Sequence, residues 1–479
     1  MFDTDLHEHK KSAGVSRRRF VQAAGAAGIT TSLAGCTGGG DDGSGAVVFS
    51  ADTNFEGASE EIIDALREAG LDTDIEVDIV QEDFETDSRR QTYSSGLDAG
   101  RSSPDLFLMD SGWTIPFIVR EQIANLEEEL SSDVLDRVRN EYLPASVDTA
   151  RHPDNGDLYG VPLFPDYPVM HYRKDLVEDA GYDPDGEDWA TTPMSWQEFS
   201  EVAADARDEG DIEHGFTTQG AAYEGLSCCT FNETMSSFGG AYFGGIDNLF
   251  GPVGDRPITV EEEPVIEALR MMRAFMYGSD DEEAADGYEQ IAPSSIVQWS
   301  EEDSRGPFTD GDAAFHRNWP YAFSDAVDEF GDGYDMMPLP YGVEESESEY
   351  DGLGGSRAAL GGWHVTLNPN SQKTEDAVQV IEALTSEEVM LAIFEHIGNL
   401  PPIPSVLDGL TEDDVGAIGR FIPTLQYVAE TAVARPVTDV WPDQSSQIYQ
   451  EVNDVYTQDK TPTEAMEGLA EDLEDSDSR

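Results

Sequence analysis

The stretch that decides the fold class is AVVFSADTNFEGASEEIIDALREAG, residues 46–70. It opens with AVVFSAD, an apolar run that predicts a buried β-strand. The following SEEIIDALREAG predicts a helix closed by Gly70. The apolar face of that helix carries Ile62, Ile63, Leu66 and Ala69. Because a strand leading into an amphipathic helix is the building unit of α/β proteins, this stretch favours that class.

The same alternation of strands and helices continues along the chain. Residues 75–80 (IEVDIV) and 104–110 (PDLFLMD) predict strands. Residues 195–210 predict a helix capped by Ser195, and residues 374–398 predict two helices. We therefore expect an α/β fold with mostly parallel sheets flanked by helices, in which ligands bind beyond the carboxyl ends of strands. Since one core rarely serves so long a chain, we expect two lobes.

The N-terminal segment predicts export of the protein. In SRRRFVQAAGAAGITTSLAGC, the paired Arg17 and Arg18 precede a short Ala- and Gly-rich run, as in Tat-type signal peptides. The final LAGC resembles the lipobox of secreted lipoproteins, which implies lipid attachment to the sulfur of Cys36. We expect a signal peptide over residues 1–35 and a lipidated cysteine with a flexible tether over 36–45, at the extracellular face of the cell membrane. A plain signal peptide with a chance cysteine is the alternative.

The chain is strongly acidic, with 99 Asp and Glu against 27 Lys and Arg. Residues 1–35 hold three acids and five bases, which leaves 96 acids and 22 bases in the rest. In dilute buffer this like charge opposes compaction, whereas about 1 M salt shortens the Debye length to about 3 Å and screens it. The pattern is typical of extreme halophiles and indicates an archaeal type. It argues against a nucleic-acid partner, which requires clustered bases.

The three cysteines and eight histidines do not predict a cofactor. Cys228 and Cys229 are adjacent, a spacing that rarely gives an unstrained disulfide. We interpret them as small buried residues, with a vicinal disulfide as the alternative. The scattered histidines match no zinc spacing, so we expect neither a metal nor another cofactor. Asn232 lies in an Asn-Glu-Thr sequon, which is equally well a glycosylation site or a chance match.

Four short stretches combine an aromatic ring with a charged or amide side chain. They are LMDSGW (108–113), LFPDYP (163–168), FHRNWPYAF (315–323) and LGGWHV (360–365). A sugar needs both kinds of group, because aromatic faces cover its C–H surfaces and carboxylates accept hydrogen bonds from its hydroxyls. A single tryptophan of this kind is more often a core residue, but their recurrence in loops favours a carbohydrate site.

Eight motifs spread over roughly residues 47–470 carry a family resemblance. In order they are DLFLMDSGW, HYRKDL, YEGLSC, GDAAFHRNWPYAF, LGGWHVTLNPNS, LTSEEV, GNLPP and VARPV. Together they resemble the extracellular solute-binding proteins of ATP-binding-cassette (ABC) sugar importers, and within these the trehalose/maltose-binding subgroup. The resemblance implies a two-lobed fold of the type II periplasmic-binding-protein kind, with a hinge of several chain crossings and the sugar held between the lobes.

The resemblance also implies where the lobes begin and end. The crossings would lie near residues 165–168, 331–334 and 366–369. Lobe 1 would hold residues 46–165 and 334–366, and lobe 2 would hold 168–331 and 369–479. We expect the acidic C-terminal stretch EDLEDSDSR to be solvated.

The family's sugar contacts fall on particular residues of this chain. Asp110 and Asp166 would accept hydrogen bonds from hydroxyls, Trp319 and Trp363 would stack on sugar rings, and Arg435 would donate across the cleft. Further implied contacts are Glu56, Trp113, Tyr223 and Glu224, with Arg89 or Arg90 as a looser match. For Asp110 and Arg435 the alternative is an ion pair that stabilises the fold. We expect no catalytic residue.

The function implied by the resemblance is capture of a sugar, such as the disaccharides trehalose or maltose. A monomer tethered at Cys36 would deliver this sugar to the permease and ATPase subunits of an importer. The first alternative is a secreted glycosidase, which needs two carboxyl groups about 5–10 Å apart. With 96 acids after residue 35, candidate pairs exist throughout the chain, so their presence does not favour an enzyme. The second is a binding protein for a non-sugar solute such as glycerol phosphate, which the scarcity of bases disfavours. The third is a structural surface-layer protein, against which the clustered Trp–Asp loops argue.

Overall fold

The computed structural model describes residues 45–83 and 86–478. The predicted signal peptide, Cys36 and the tether up to residue 44 lie outside these residues. None of the helices formed by the described residues combines the length and the apolarity that a bilayer crossing requires.

The strands form two sheets. They are β1 (Val47–Ala51), β2 (Val77–Gln81), β3 (Leu106–Asp110), β4 (Gly160–Asp166), β5 (Val169–Arg173), β6 (His214–Thr217), β7 (Ala313–Asn318), β8 (Tyr334–Met337), β9 (Ala358–Leu367) and β10 (Ala432–Ala434). The larger sheet has the order β10-β9-β3-β1-β2, with β4 also paired to β9. The smaller sheet has the order β6-β7-β5-β8.

Strand directions in both sheets are mixed rather than mostly parallel. In the larger sheet β1 is parallel to β2 and β3, but β9 is antiparallel to β3 and β4. In the smaller sheet β6 and β7 are parallel, while β5 is antiparallel to β7 and β8. The α/β class is confirmed, whereas the expected direction holds only in part. Because buried strands of either direction are short apolar runs, the sequence pattern carries little information about direction.

Helices cover both sheets. They are α1 (Thr53–Gly57), α2 (Ser59–Glu68), α3 (Thr86–Asp98), α4 (Ser111–Val119), α5 (Ser132–Glu141), α6 (Pro144–Asp148), α7 (Lys174–Asp179), α8 (Trp196–Gly210), α9 (Phe231–Ser237), α10 (Glu263–Tyr277), α11 (Glu301–Thr309), α12 (Phe323–Phe330), α13 (Thr374–Leu384), α14 (Glu387–Ile397), α15 (Glu412–Val415), α16 (Ile422–Thr431), α17 (Trp441–Tyr456) and α18 (Pro462–Asp477). The elements predicted from periodicity are confirmed, namely β1, β2, β3, α2, α8, α13 and α14. At α8 the Ser195 hydroxyl accepts a hydrogen bond from the Glu198 amide at 3.1 Å, as expected of a capping residue.

Two separate buried clusters underlie two lobes. We call the larger sheet with its helices the first lobe; its core includes Phe49 and Leu108. The smaller sheet with its helices is the second lobe, and its core includes Met170 and Phe315. Each sheet thus buries apolar side chains against helices of its own lobe, and the space between the lobes is left for polar groups.

Sheet membership differs from the predicted lobe boundaries at two segments. The range 334–366 was expected in lobe 1, but β8 pairs with β5 in the second lobe. The range 369–479 was expected in lobe 2, but α13 and α14 pack into the core of the first lobe, where Val380 and Ile393 are buried. Which sheet a strand or helix joins depends on contacts between distant residues, which motif spacing does not report.

The chain passes between the lobes where a strand ends or kinks. β4 leads into β5 across residues 167–168, at the position expected for the first crossing. A second passage lies within β9, because Ala359 belongs to the core of the second lobe and Val365 to that of the first. The crossings expected near 331–334 and 366–369 differ from this arrangement.

The acidic C-terminal stretch is not solvated throughout. In α18 Leu469 and Leu473 are fully buried, because they lie one turn apart on the face that packs against the second lobe. Asp477 is also buried, and it accepts hydrogen bonds from the Arg256 guanidinium at 2.8 and 3.0 Å. This pairing gives one of the chain's scarce arginines a structural role.

Candidate ligand-binding cleft

A cleft between the lobes contains a cavity of about 220 Å³. From the first lobe, its lining includes Asp52, Arg89, Asp110, Asp166 and Trp363. From the second lobe, it includes Tyr223, Glu224, Cys228, Cys229, Trp319 and Tyr321. Carboxyl groups and aromatic rings therefore meet in one enclosed space.

The register of three neighbouring strands brings two acids beside a tryptophan. On β9, Trp363 lies opposite Asp110 of β3 on one side and Phe164 of β4 on the other. Asp166 is the last residue of β4. Next to Trp363, Gly362 has a φ of 142°. An added Cβ there would lie 2.8 Å from the Phe164 carbonyl oxygen, so this position requires glycine.

Asp110 and Arg435 form a buried ion pair in the cleft wall. Asp110 caps α4, since its Oδ1 accepts a hydrogen bond from the Gly112 amide at 2.6 Å, and Arg435 donates to the same oxygen. Arg435 also donates to the Ser111 hydroxyl at 2.9 Å. Its Nε has no hydrogen-bond partner among the described residues. Because both residues also line the cavity, the ion pair and the implied ligand contact involve the same two side chains.

Asp166 is a buried carboxyl group in the cavity lining. The residue is 9 % exposed, and its Oδ1 makes no hydrogen bond within the part of the chain that the structure describes. Burial raises the pKa of Asp166 to about 8; Arg317 opposes this rise and the neighbouring Asp110 adds to it. At neutral pH the group is therefore protonated, and it can both donate and accept a hydrogen bond.

Trp363 is half-buried in the wall of the first lobe. The Arg89 guanidinium lies over its ring, 4.4 Å from the centroid, which is a cation–π contact. Trp113 meets the Trp363 ring edge-on, with 6.4 Å between the centroids. Arg89 is itself buried, and its Nε donates to the Asp83 carbonyl oxygen at 2.9 Å. These contacts fix the orientation of the indole before any ligand binds.

Trp319 extends from the second lobe on a rigid support. It follows β7, and the Arg317 guanidinium lies 4.8 Å from its ring centroid. Arg317 is buried and forms two hydrogen bonds with the Glu233 carboxylate, at 2.5 and 2.8 Å, and one with Gln219 at 2.9 Å. The far edge of the indole reaches the first lobe, where the Cβ position of Gly361 is 3.5 Å from its Cη2. The Trp319 ring therefore reaches from the second lobe to the first at the cavity.

Tyr223 and Glu224 form part of the wall of the second lobe. The Tyr223 hydroxyl donates to the Glu301 carboxylate at 2.7 Å. Its ring folds over Gly225, where an added Cβ would lie 2.4 Å from the ring. Burial raises the pKa of Glu224, and the charge of Asp110 on the first lobe raises it further. The ionisation of Glu224 is thus coupled to the distance between the lobes.

The structure places most of the implied sugar contacts in the cavity lining: Asp110, Asp166, Tyr223, Glu224, Trp319, Trp363 and Arg435. It corrects the predicted positions of the other two, Glu56 and Trp113. Glu56 is exposed on α1, and the acid that reaches the cavity is Asp52, whose Oδ1 caps the same helix through the Asn54 amide at 3.0 Å. Trp113 is 1 % exposed in the core behind Trp363. Of the loosely matched pair, Arg89 lines the cavity.

Several lining residues were not predicted from the sequence: Asp52, Asn54, Ser300, Glu301, Glu302 and Asn399. Asp52 directly follows β1, a strand-end position at which polar ligand contacts were expected, so a signal for it existed. Ser300 is the N-cap of α11, and Asp303 completes a capping box with it. In sequence this pattern predicts only a helix start, and nothing local marks it as part of a cleft.

Cys228 and Cys229 are joined in a disulfide, contrary to our interpretation of them as two separate buried residues. They lie in the π-helical turn Leu226–Thr230, which precedes α9. Both are buried, at 3 % exposure, and both contribute to the cavity lining.

Two buried histidines are hydrogen-bonded inside the second lobe, and a third, His364 on β9, lies between the Thr114 and Thr149 hydroxyls at 3.0 and 3.1 Å. The Nδ1 atom of His171 lies 2.6 Å from the Tyr334 hydroxyl, and that of His316 lies 2.9 Å from the Thr217 hydroxyl. Burial lowers the pKa of His171 to about 4, so it is neutral at physiological pH. Over residues 45–83 and 86–478, no group of His, Cys, Asp and Glu is arranged to hold a metal ion.

Comparison with known proteins extends over most of the described chain. A family model described as "Bacterial extracellular solute-binding protein" matches residues 61–417. A protein of Deinococcus radiodurans described as "Probable ABC transporter-binding protein" is 27 % identical over 370 residues, which are 76 % of each chain.

Solved structures share the fold. Maltose-bound MalE3 of T. maritima superimposes with a TM-score of 0.71 at 27 % identity, covering 89 % of this chain and 98 % of that one. UgpB from Mycobacterium tuberculosis, in complex with glycerophosphocholine, gives a TM-score of 0.67 at 18 % identity, covering 91 % of this chain and 99 % of that one, and shows the fold alone. The predicted two-lobed, type II periplasmic-binding-protein fold is therefore confirmed. With a family match over well more than half of its length, the chain belongs to the bacterial extracellular solute-binding protein family.

Proposed function

We propose that this protein captures an uncharged sugar, such as maltose or trehalose, between its lobes and delivers it to the permease and ATPase subunits of an ABC importer. The observation that carries the proposal is the presence, in one cleft, of the Trp319 indole and the Asp166 carboxyl group. The names of two similar proteins support it, since one is an ABC transporter-binding protein and the other is maltose-bound.

The polar groups of the cleft suit hydroxyl recognition. A protonated Asp166 donates one hydrogen bond and accepts another, as a sugar hydroxyl also does. The Arg435 guanidinium, which belongs to the cavity lining, supplies a charged donor to a hydroxyl oxygen. Trp319 presents an apolar face to the C–H surface of a ring. A ligand that alternates hydroxyls with C–H faces satisfies all three groups together.

The charge of the cleft favours a neutral ligand over an anion. Its carboxyl-bearing residues include Asp52, Asp110, Asp166, Glu224, Glu301 and Glu302. Of its two arginines, Arg435 already donates to Asp110, and Arg89 lies 3.9 Å from Asp52. A phosphate would meet more negative than positive charge, so a ligand such as glycerol phosphate is disfavoured.

Binding couples to closure of the two lobes and requires no chemical step. Trp319 of the second lobe and Asp166 of the first touch one ligand only when the lobes are together, so the ligand selects the closed form. The support of Trp319 by Arg317 lowers the cost of ordering the site on binding. The closed shape is then the form that the permease recognises.

The proposal includes export and anchoring. Cleavage before Cys36 and lipidation of its sulfur would hold a monomer at the extracellular face of the membrane, close to the permease, after Tat export. The excess of acidic residues suits a protein of a halophilic archaeon, folded in concentrated salt.

Calorimetric titration of the full chain tests the proposal. Cys36→Ser removes the lipidation site, and molar salt screens the like charges. Maltose, trehalose, glucose and glycerol phosphate are titrated separately, and each mixture is assayed by chromatography for products. Saturable binding of a neutral sugar without products supports the proposal. Release of products assigns a glycosidase instead, and binding of glycerol phosphate alone assigns an anion importer.

A further inference from the structure

We propose that the Cys228–Cys229 disulfide is itself a sugar-contacting surface, which recognises a C–H face of the ligand and does so only while it is oxidised. This inference rests on the proposed function, because it adds one more surface to the same cleft. No chemistry of the sugar is involved.

The disulfide occupies the cleft wall on a fixed backbone. Both cysteines line the cavity, together with the neighbouring Tyr223. Directly before Cys228, the Ser227 hydroxyl is 2.6 Å from the Ser445 hydroxyl of α17, and the Tyr242 hydroxyl donates to the Ser227 carbonyl oxygen at 2.7 Å. The turn that carries the two cysteines is therefore tied to the interior of the second lobe.

The bond decides where the two sulfurs point. Successive side chains of a helical turn point in different directions around the helix axis, so two adjacent cysteines do not normally share a face. The covalent bond holds both sulfur atoms together, and Cys228 and Cys229 then form one continuous apolar surface. Without it, each side chain turns about its own χ1 angle, and this surface is lost.

The chemistry of this surface selects its partner. A disulfide is polarisable and, unlike a thiol, carries no hydrogen-bond donor. Its surroundings are polar, since Tyr223, Glu224 and Glu301 line the same cavity. A hydroxyl held against the sulfurs would lose its hydrogen bonds to water without replacing them, whereas a C–H face has no such hydrogen bonds to lose. The disulfide and Trp319 are thus two apolar contacts offered to the ligand by the second lobe.

Reduction removes the surface by a balanced exchange. A thiolate of a dithiol reductant attacks one sulfur, and the S–S bond breaks to give a mixed disulfide and a cysteine thiolate. The second thiol of the reductant then displaces the other cysteine and closes into a cyclic disulfide. Two electrons and two protons pass from the reductant to the protein, which ends with two thiols.

The test uses the full chain with Cys36→Ser, in which Cys228 and Cys229 are the only cysteines left of three. Thiol titration gives no free thiol before treatment with a dithiol and two afterwards. Calorimetry with maltose and trehalose then compares the two forms. We expect reduction to weaken binding about three- to tenfold, from the strength of sulfur contacts. Saturating sugar should also slow the appearance of thiols, because the bound ligand covers the bond.

A matched variant removes the bond without adding polarity. Cys228→Ala/Cys229→Ala in the same background should bind as weakly as the reduced chain and should not respond to the reductant. Equal Kd values for the oxidised and reduced chains overturn the inference. If the melting temperature nevertheless falls on reduction, the bond has a structural role alone. If neither sugar binds the oxidised chain, it is the proposed function that fails.

Discussion

Truncation of Trp319 to alanine tests whether an indole face carries ligand binding. The residues behind the ring stay in place, since Arg317 is held by two hydrogen bonds to Glu233 and not by the indole. The variant therefore loses one apolar surface of the cavity, while its polar groups are kept. We expect weaker sugar binding with little change in the fold.

The size of the effect follows from the area of the ring. An aromatic side chain buries about 150–250 Å² in total, and one face is roughly half of this, about 100 Å². At about 25 cal/mol per Å², covering that face contributes about 2.5 kcal/mol. Part of the sugar surface above the ring is hydroxyl, so we expect a loss of about 1–3 kcal/mol, which is about a 5- to 150-fold higher Kd.

Calorimetry in molar salt measures this change, with two control variants. Trp319→Phe keeps a smaller ring and should lose only part of the affinity. Phe250→Ala removes an aromatic ring that is 44 % exposed and does not line the cavity, and it should leave Kd unchanged. A melting curve of each variant shows whether the fold is intact.

Two results would refute the reasoning. One is a Trp319→Ala chain that melts like the parent and binds sugar with the same Kd. The other is an equal loss of affinity in Trp319→Ala and Phe250→Ala, since the effect would then be unrelated to the cleft.

Three further outcomes follow from charge. The pKa of Asp166, about 8 against a usual 3.8, means that the neutral form is favoured in the folded protein, so stability falls as the pH rises from about 4 to about 8 and levels off above that. Asp166→Asn stays neutral, and its melting temperature relative to the parent should rise between about pH 5 and 8; a constant difference would contradict this. Glu233→Gln leaves the buried Arg317 without its anion, so we expect destabilisation of about 3–5 kcal/mol in denaturant titrations and a higher Kd for sugar. The control Glu263→Gln loses only an exposed partner of Arg270, and it should change stability by less than about 1 kcal/mol. Dialysis from molar to about 0.1 M NaCl should lower the melting temperature, because 96 acids against 22 bases are then poorly screened, and a melting temperature indifferent to NaCl would refute that.

Local pattern was a good guide to the elements and to much of the cleft. The apolar run of β1 and the spaced apolar face of α2 are properties of adjacent residues, and both elements form where they were expected. The motifs around Asp110 and Asp166 marked strand ends, whereas Trp363 lies within β9, and strand register brings these residues together. Strand direction left no mark in the sequence, because parallel and antiparallel buried strands have similar apolar composition.

The sequence alone therefore predicts two lobes of α/β structure, a strongly acidic composition, and aromatic and carboxyl groups suited to a sugar. Only the three-dimensional arrangement placed Asp52 rather than Glu56 at the cavity, buried Trp113 behind Trp363, and left Oδ1 of Asp166 without a hydrogen-bond partner among the described residues. The physical reason is that burial and hydrogen bonding depend on atoms a few ångströms apart in space, contributed by segments that are distant in sequence.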